Sequence, residues 1–440
     1  MRAGPARALY TLLWFVALPL LPLRLWWRGR KEPGYRQFIG ERFGRYRGTQ
    51  RRGASGVLWI HAVSLGETRA VAPLVERVLR DRPDLSLLLT HMTATGHEAG
   101  RALFGPRVMQ TWLPYDIPFA VRAFLSRFTP CAGVLVETEL WPNLVAECTA
   151  RGIALFLVNA RMSDRSAAGY GRIAALTRSM LESFAGIAAQ TSADAKQFCD
   201  LGARHVVISG NLKFDFPIPE SAHALGREFR ARIGENRPVW VAASTREGEE
   251  ALICDALGKP AAKEMPAGTL ALMVPRHPQR FEAVAQLLSE RGIPFLRRSE
   301  NISVTAETKV MLGDSIGEML AYYAASDVAF VGGSLLPLGG QNLIEPIALG
   351  VPTLIGPHTF NFSEASSQAI EMGAALRVDD ANALIAEVAK LLRDRAKREA
   401  MRVASEAFCA VHRGGADRLW NWLAPKLPPP EGAANPAAGD

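Results

Sequence analysis

The chain has 440 residues, of which 48% are hydrophobic and 21% are charged, a balance that is typical of globular proteins and excludes a disordered chain. Its length favours two α/β domains over a single core. The formal net charge of +8 suits an anionic surface or substrate, but the arginines do not cluster with aromatic residues along one exposed helix, so we expect no nucleic-acid partner. The five cysteines are scattered without a C-x-x-C pair, which predicts a reducing compartment and no zinc site.

The first element is an apolar segment at residues 8–23 that carries no charge. It is shorter than the roughly 20 residues that a helix needs to cross a bilayer, but tryptophans and cations follow at residues 26–31. Such residues mark a membrane interface on the cytoplasmic side. A cleaved signal peptide is the alternative, although no A-x-A site follows the apolar segment. We predict an uncleaved anchor over residues 1–31, and whether it spans the bilayer or lies on it stays open.

Beyond the anchor, short apolar strands alternate with helical stretches, and each strand ends in a polar loop. This alternation is typical of a parallel, doubly wound sheet with its functional loops at one edge. Strands are predicted at 57–61, 85–90, 133–136, 154–158, 186–189 and 206–208.

The domain boundaries follow from breaks in this alternation. Two prolines interrupt it and predict a linker at 216–230, between an N-terminal domain at 32–215 and a C-terminal domain with terminal helices at 231–425. The last amphipathic helices are candidates for packing back toward the first domain. The tail at 426–440 is rich in proline, alanine and glycine and is predicted to be disordered.

The second half repeats the alternation and adds a loop with four glycines. Strands are predicted at 239–242, 270–274, 310–312, 328–331 and 353–355, and a helix is predicted to open near Gln341. Glycines let a backbone approach a ligand, and the N–H groups of a helix start attract anions. Glu345, about one turn into that helix, can accept hydrogen bonds from a ribose diol. An ordinary turn between a strand and a helix is the alternative interpretation.

The pattern G-G-Q-N-x-x-E-P is longer than an ordinary turn, and it resembles the nucleotide-sugar site of glycosyltransferases with the B fold. The predicted fold is therefore α/β, with two Rossmann-like domains facing a cleft (the glycosyltransferase B fold) and an N-terminal membrane-anchor segment.

A series of motifs extends this resemblance over roughly residues 8–425. In order, they are WIHAVSLGET, PYD, ETELWPN, NARMSDRSAAGY, GNLKFD, STREGEE, VPRHPQRF, GDSIGEM and GPHTFNF. Together they resemble the 3-deoxy-D-manno-octulosonic acid (Kdo) transferase family of Gram-negative bacteria. The resemblance implies an inverting glycosyltransferase that moves Kdo from CMP-Kdo to a lipid A precursor (lipid IV-A). The reaction belongs to the biosynthesis of the lipopolysaccharide inner core, at the cytoplasmic face of the cell inner membrane.

The resemblance also implies catalytic residues in the first domain. Glu67 matches the family's proton acceptor, and Glu137 and Lys213 match its transition-state stabilisers. Glycosyl transfer needs such groups, because the acceptor hydroxyl loses a proton and the leaving phosphate keeps its negative charge. The alternatives are that Ser64 and Glu67 form only a capping box, and that Glu137, or its neighbour Glu139, and Lys213 are solvated loop charges.

The resemblance places the contacts to the CMP moiety of the donor in the second domain. They fall on Pro275, Arg276, Ile316, Gly317, Glu318, Asn342, Leu343, Ile344 and Glu345. No D-x-D pattern occurs, so we expect neither a metal nor any other cofactor. Two other functions remain open: a different B-fold enzyme similar to a nucleotide-sugar 2-epimerase, and a non-catalytic protein that binds anionic lipid.

Overall fold

A computed structural model describes residues 3–47, 55–215 and 218–430 of the chain. The chain divides into two compact units, one with the residues up to 216 and from 412 onward, the other with residues 217–411. In the described residues, each unit contains one seven-stranded sheet in which all paired strands are parallel. The predicted α/β class with two parallel sheets is confirmed.

The sheet of the first unit has the strand order β3-β2-β1-β4-β5-β6-β7. Its strands are β1 (Val57–His61), β2 (Ser86–His91), β3 (Met109–Trp112), β4 (Pro130–Val136), β5 (Ala154–Ala160), β6 (Gly186–Ala189) and β7 (Val206–Ile208). The chain direction across the sheet reverses at β1, and the carboxyl ends of strands on either side of such a switch point form the usual ligand site of this class.

Helices cover both faces of this sheet. They are α1 (Ala3–Ala17), α2 (Leu20–Lys31), α3 (Leu65–Asp81), α4 (Ala94–Phe104), α5 (Pro118–Phe128), α6 (Pro142–Ala150), α7 (Asp164–Gly171), α8 (Ala174–Glu182), α9 (Ser192–Asp200) and α18 (Gly415–Leu423). In β1, Leu58 and Ile60 enter one core cluster while Val57 and Trp59 enter the other, because successive strand residues point to opposite faces. Burial on both faces explains why β1 is an almost unbroken apolar run.

The second unit repeats this arrangement with the strand order β10-β11-β9-β8-β12-β13-β14. Its strands are β8 (Val239–Thr245), β9 (Leu270–Pro275), β10 (Phe295–Arg297), β11 (Val310–Leu312), β12 (Val328–Val331), β13 (Thr353–Ile355) and β14 (Ala375–Arg377). Its helices are α10 (Glu220–Ile233), α11 (Glu249–Leu257), α12 (Phe281–Glu290), α13 (Met319–Ala324), α14 (Ile344–Ala348), α15 (Ser363–Glu371), α16 (Ala381–Arg393) and α17 (Arg395–His412).

The predicted anchor segment folds into α1 and α2, which pack on the first unit. Among the described residues, no single helix is long and apolar enough to cross a membrane. The helical segments at residues 4–17 and 20–30, which are bent by 61° relative to each other, meet the requirement of length and composition only when they are taken together. The inner side of the pair packs against the rest of the first unit. Leu21 and Leu25 are buried, and Thr11 donates a hydrogen bond to Asn143 at 2.9 Å. The outer side exposes Leu12, Leu13, Val16, Leu20, Leu23 and Trp27.

Two boundaries differ from the sequence prediction. The range 216–230, predicted as a linker, is helical from Glu220 onward as part of α10, while residues 216 and 217 lie outside the described residues. The last helix, α18, lies in the first unit and not in the second, because Leu419 and Leu423 are buried in a core cluster of the first sheet. In addition, the Trp420 indole donates a hydrogen bond to Asp81 in α3 at 2.8 Å.

The predicted disordered tail begins inside the described part of the chain. Leu427 is buried in the same core cluster as α18, so the first residues of that range are packed. Residues 431–440, the rest of the predicted tail, lie outside the described residues.

Candidate active site

Glu67 lies in the first turn of α3, directly after the loop that leaves β1. Ser64 caps this helix, and its hydroxyl accepts a hydrogen bond from the Glu67 N–H at 3.4 Å. The Glu67 carboxylate in turn accepts hydrogen bonds from the Val63 N–H at 2.7 Å and from the Ser64 hydroxyl at 2.8 Å. The capping interaction predicted as an alternative is therefore present, and it fixes the carboxylate at the carboxyl edge of the sheet.

The environment of Glu67 suits a group that exchanges protons near neutral pH. Its side chain is buried, and this burial, followed by the charge of Glu137, raises the pKa of its carboxyl to about 7. The hydrogen bonds from Val63 and Ser64, and the charge of Lys213, lower that pKa and partly offset burial. A capping residue at a helix surface needs no such burial, whereas a general base works best when its pKa lies near the working pH.

Glu137 and Lys213 form an ion pair beside Glu67, with 2.9 Å between Lys213 Nζ and Glu137 Oε1. Glu137 follows β4 and has a φ of 65°, a strained conformation for a residue with a side chain. Asn159, at the end of the neighbouring strand β5, has a φ of 50°. Its side chain accepts a hydrogen bond from the Leu212 N–H at 3.0 Å, which positions the turn that carries Lys213. Backbone strain of this kind is concentrated at functional sites.

A third carboxyl group, Glu139, belongs to the same cluster. The Trp141 indole donates a hydrogen bond to it at 2.6 Å. Burial, and then the charge of Glu67, raise the pKa of Glu139 to about 8. The sequence analysis considered Glu139 only as a neighbour of Glu137. The signal that points to it is the E-x-E spacing at a strand end, which directs both acids toward the same edge.

Two buried histidines support the loop that precedes Glu67. The His61 ring contacts Thr90 Oγ1 at 2.9 Å, and the His91 ring contacts the Ala62 carbonyl at 3.0 Å. Burial lowers the pKa of His61 to about 3 and that of His91 to about 4, so both rings are neutral at physiological pH. They join the ends of β1 and β2 and thereby hold the loop that precedes Glu67 in place.

In the second unit, the predicted nucleotide residues Pro275 and Arg276 stand at the end of β9. Pro275 is buried, and the side chain of Arg276 is exposed. The Arg276 N–H donates to the Thr245 carbonyl at 2.9 Å, and its guanidinium donates to the Gln341 side chain at 3.3 Å. The guanidinium therefore lies at the carboxyl edge of this sheet, where an anionic ligand can reach it.

The predicted residues 316–318 form an exposed turn before α13. Ile316 is 79% exposed, and Gly317 has a φ of 85° that favours glycine. The Glu318 carboxylate forms an ion pair with Arg298 at 3.2 Å and accepts a hydrogen bond from the Ser315 hydroxyl at 2.6 Å. Glu318 is thus held by protein groups, and it fixes the shape of the turn.

The predicted residues 342–345 lead into α14. The Asn342 side chain donates to Glu345 at 3.1 Å and accepts from the Ile344 N–H at 3.1 Å. Leu343 and Ile344 are buried, so only their backbone can meet a ligand. The helix that the sequence analysis placed near Gln341 begins instead at Ile344 and has five residues, and its N-cap residue is Leu343.

The glycine-rich loop after β12 is organised by a buried acid that the sequence analysis did not identify. The carboxylate of Glu249 is fully buried, and it accepts hydrogen bonds from the N–H groups of Gly333 at 2.6 Å, Ser334 at 2.9 Å and Leu335 at 2.9 Å. It also accepts one from the Arg246 N–H at 2.9 Å. These N–H groups are already used within the protein, so they do not form a phosphate cradle.

No group of three or more His, Cys, Asp or Glu side chains within the described ranges is arranged to hold a metal ion. The expectation that the chain needs no metal or other cofactor stays a prediction.

Comparisons with known proteins show which family the chain is similar to. A family model described as 3-deoxy-D-manno-octulosonic-acid transferase (kdotransferase) matches residues 37–216. A 3-deoxy-D-manno-octulosonic acid transferase of Bordetella pertussis is 43% identical over 95% of this chain and 99% of its own length. The protein of the same name from Haemophilus influenzae is 38% identical over 96% of this chain and 99% of its own length.

Solved structures extend the comparison to the fold. The crystal structure of a UDP-GlcNAc 2-epimerase from Neisseria meningitidis, bound to UDP-GlcNAc, matches with a TM-score of 0.58. The match covers 84% of this chain and 99% of the epimerase at 14% sequence identity, so it shows a shared fold and no more. The decisive comparison is the alignment with the two transferases, which covers nearly the full length of the chain at 43% and 38% identity. The chain belongs to the 3-deoxy-D-manno-octulosonic acid (Kdo) transferase family of glycosyltransferases.

Proposed function

We propose that the chain transfers Kdo from CMP-Kdo to a lipid A precursor (lipid IV-A) and inverts the anomeric configuration. The reaction belongs to the biosynthesis of the lipopolysaccharide inner core. One observation carries the proposal: a buried carboxyl, Glu67, with a pKa near neutrality stands beside the ion pair of Glu137 and Lys213.

In this proposal, Glu67 is the general base. Its carboxylate takes the proton of the acceptor hydroxyl while that oxygen forms a bond to the anomeric carbon of Kdo. The bond from the same carbon to the phosphate oxygen breaks, and CMP leaves with the bonding electrons. The anomeric carbon has oxocarbenium character in the transition state, as in glycoside hydrolysis.

Glu137 and Lys213 have supporting roles. Their contact at 2.9 Å holds the ammonium group in place, close enough to Glu67 to lower the pKa of that carboxyl. A fixed cation stabilises negative charge that develops during transfer without reorganising at the moment of reaction. We assign both residues to the support of the transition state.

The second unit supplies the nucleotide site. Arg276 is suited to bind the phosphate because its guanidinium lies at the carboxyl edge of the sheet and donates a hydrogen bond to the neutral side chain of Gln341. Glu345 accepts hydrogen bonds from the ribose, with Asn342 holding its carboxylate. The exposed turn at 316–318 and the buried residues Leu343 and Ile344 offer backbone groups to the nucleotide. The donor is bound without a metal or other cofactor.

The N-terminal helices attach the enzyme to the cytoplasmic face of the inner membrane, where its lipid acceptor lies. Their outer side is apolar, with Leu13 60% exposed and Val16 69% exposed, while their inner side is packed on the first unit. Arg30 stacks over Trp26 at 4.2 Å, a pairing suited to the interface between headgroups and acyl chains. Helices with one apolar and one packed side suit attachment in the plane of the membrane.

The proposal is tested by incubating the purified chain with CMP-Kdo and lipid IV-A and measuring both CMP release and the mass of the lipid product. We expect CMP release that depends on the lipid, with a product heavier by whole Kdo residues. Conversion of the donor without lipid indicates an epimerase-like enzyme, and lipid binding without CMP release indicates a non-catalytic lipid binder. Either result contradicts the proposal, and the product mass also counts the Kdo units added.

A further inference from the structure

Two arginines stand side by side at the carboxyl edge of the second sheet. Arg246 follows β8 and Arg276 follows β9, and the last paired residues of these strands are Thr245 and Pro275. The Arg276 N–H donates to the Thr245 carbonyl at 2.9 Å, which continues the pairing to the arginines themselves. Their backbones are therefore about 5 Å apart, the spacing of neighbouring strands.

A local irregularity in β8 directs Arg246 to this edge. The register of β8 and β9 shifts between Ala243 and Thr245, and Ser244 has a φ of 54°. An extra residue at such a bulge turns the following side chains to the other face, and bulges are enriched beside functional sites. The side chain of Arg246 lies over the glycine-rich loop, with its Cγ 3.5 Å from the position that a Cβ on Gly333 would occupy.

Neither guanidinium is neutralised by the protein. In the described part of the chain, no carboxylate forms an ion pair with Arg246 or Arg276, whereas the nearby Arg280 forms one with Glu250 at 3.3 Å. Two adjacent uncompensated cations repel each other, and both act on His277, whose pKa is lowered first by burial and then by these two arginines. An anionic ligand relieves this repulsion.

The backbone cannot bind that anion in their place. The N–H groups of Gly333, Ser334 and Leu335 donate to the Glu249 carboxylate. The N–H groups of Gly340 and Gln341 donate to the Gly333 and Gly332 carbonyls at 2.7 and 3.0 Å. Recognition of an anion at this part of the edge therefore falls to the arginine side chains.

The proposed donor carries two anionic groups close together. Kdo is a 2-keto sugar acid, so its carboxylate is bonded to the anomeric carbon, and the phosphate of CMP is attached to that same carbon through oxygen. Resting on the proposed function, we propose that Arg246 binds the carboxylate of the donor sugar while Arg276 binds its phosphate. A guanidinium pairs with a carboxylate through two parallel hydrogen bonds, which gives orientation as well as affinity.

This contact makes Arg246 a determinant of donor specificity. A nucleotide sugar that lacks a carboxylate leaves the guanidinium of Arg246 without its partner, so it binds more weakly than the sugar acid. The carboxylate also fixes the orientation of the anomeric carbon, because the two are directly bonded.

The test compares donor and CMP binding in Arg246→Gln, Arg246→Lys and a control, Arg291→Gln. Arg291 is an exposed arginine in the same unit that pairs with Asp255, so its replacement removes the same charge outside the site. Calorimetry measures the affinity for CMP, and competition with CMP in the absence of acceptor measures the affinity for CMP-Kdo. A CMP-Kdo analogue with its carboxylate converted to an amide serves as the third ligand.

We expect Arg246→Gln to weaken CMP-Kdo binding by about tenfold or more and to leave CMP binding within about twofold. The unaltered chain and Arg291→Gln prefer the acid to the amide, and Arg246→Gln loses this preference, with Arg246→Lys in between. An equal loss of CMP affinity assigns Arg246 to the phosphate and overturns the proposal, as does unchanged donor binding. If the unaltered chain binds the donor but transfers no Kdo to lipid, the proposed function fails, while the binding comparison still decides the role of Arg246.

Discussion

At the scale of single residues, the chemistry of the first unit depends on how burial and charge act together on Glu67. Burial alone would keep this carboxyl protonated and unable to accept a proton. Two hydrogen bonds and the charge of Lys213 act in the opposite direction, and the resulting pKa of about 7 lets the group ionise under physiological conditions. Glu137 links the two effects, because it raises the pKa of Glu67 and forms the ion pair with Lys213.

The first prediction concerns the pH dependence of transfer. A general base must be deprotonated, so kcat/KM should rise as the pH increases, with a midpoint near the Glu67 pKa of about 7. The measurement is the initial rate at low donor concentration across the pH range. A profile that is flat through neutral pH, or one with its midpoint near the ordinary value for a glutamate, contradicts the assignment of Glu67.

Replacing the neighbours of Glu67 should move this midpoint in opposite directions. Glu137→Gln removes a like charge and releases Lys213 from its partner, so the midpoint should fall. Lys213→Met removes a stabilising cation, so the midpoint should rise. Both variants should also transfer more slowly, because both residues support the transition state, and the pH profile separates the two effects. Shifts of the same sign in the two variants contradict this electrostatic account.

Residue roles were only partly predictable from sequence. Glu67 follows the loop after β1, Glu137 follows β4, and both lie in family motifs, so pattern and resemblance both point to them. Glu249 also lies in a family motif, STREGEE, but that motif presents adjacent acids at the start of a helix, and such acids are usually solvated. Its burial depends on the loop after β12, which is far away in the chain.

At the scale of elements, the glycine-rich loop is shaped by a carboxylate from another element. Glu249 is the first residue of α11, and its carboxylate accepts hydrogen bonds from four backbone N–H groups, three of which belong to the loop. Because the acid saturates these donors, it determines the conformation of the loop and the position of the side chains that flank it.

Glu249→Gln should therefore destabilise the second unit and weaken CMP binding. The amide places an NH₂ group against N–H donors and leaves buried donors without an acceptor, at a cost of about 1–3 kcal/mol for each. Thermal unfolding and CMP titration measure the two effects. Glu247→Gln is the matched control, since this acid from the same motif has a side chain that is 86% exposed. An unchanged melting temperature for Glu249→Gln would remove this residue from the account.

Most strands were predictable because strands buried on both faces appear in sequence as continuous apolar runs. The strands that were not predicted are β3, β10 and β14. Each is the outermost strand of its sheet, has three or four residues and is only partly buried. Short half-buried strands have no clear periodicity, and only pairing with a neighbour defines them. The start of α14 was also predicted too early, because the G-G-Q-N pattern does not show that residues 341–343 stay outside the helix.

The N-terminal helices give a prediction at the same scale. Leu12→Glu with Leu13→Glu places charges on the exposed apolar side of α1, so binding to anionic vesicles should fall while CMP binding stays unchanged. Vesicle sedimentation at high salt measures this loss. Val403→Glu, a substitution at an exposed apolar position of α17, is the control and should bind vesicles normally. Equal sedimentation of all variants contradicts attachment through α1.

At the scale of the whole molecule, the two units are assigned different tasks. The first unit carries the proposed base and the ion pair beside it, and the second carries the groups proposed for the donor. Sequence analysis predicted both α/β units and grouped residues 412–425 with the second, while it named the last helices as candidates for packing back toward the first. The structure places α18 in the first unit, where Leu419 and Trp420 are buried. An amphipathic pattern predicts that a helix buries one side, but it does not identify the sheet against which that side packs.

This division of tasks separates catalysis from nucleotide binding in single variants. Glu345→Gln should weaken CMP binding by about an order of magnitude, because it removes the charge from hydrogen bonds to the ribose. Calorimetry with CMP measures this change without any acceptor. Undiminished CMP affinity in this variant contradicts the assignment of Glu345 to the ribose.

The most direct test of the central claim is the rate of Kdo transfer to lipid IV-A by Glu67→Gln under saturating CMP-Kdo. Glutamine can keep the contacts that cap α3 but cannot accept the proton, so transfer should fall by about a hundredfold or more. The melting temperature and CMP affinity of the variant should match those of the unaltered chain. Transfer at a near-normal rate would show that Glu67 only caps the helix and would contradict the account.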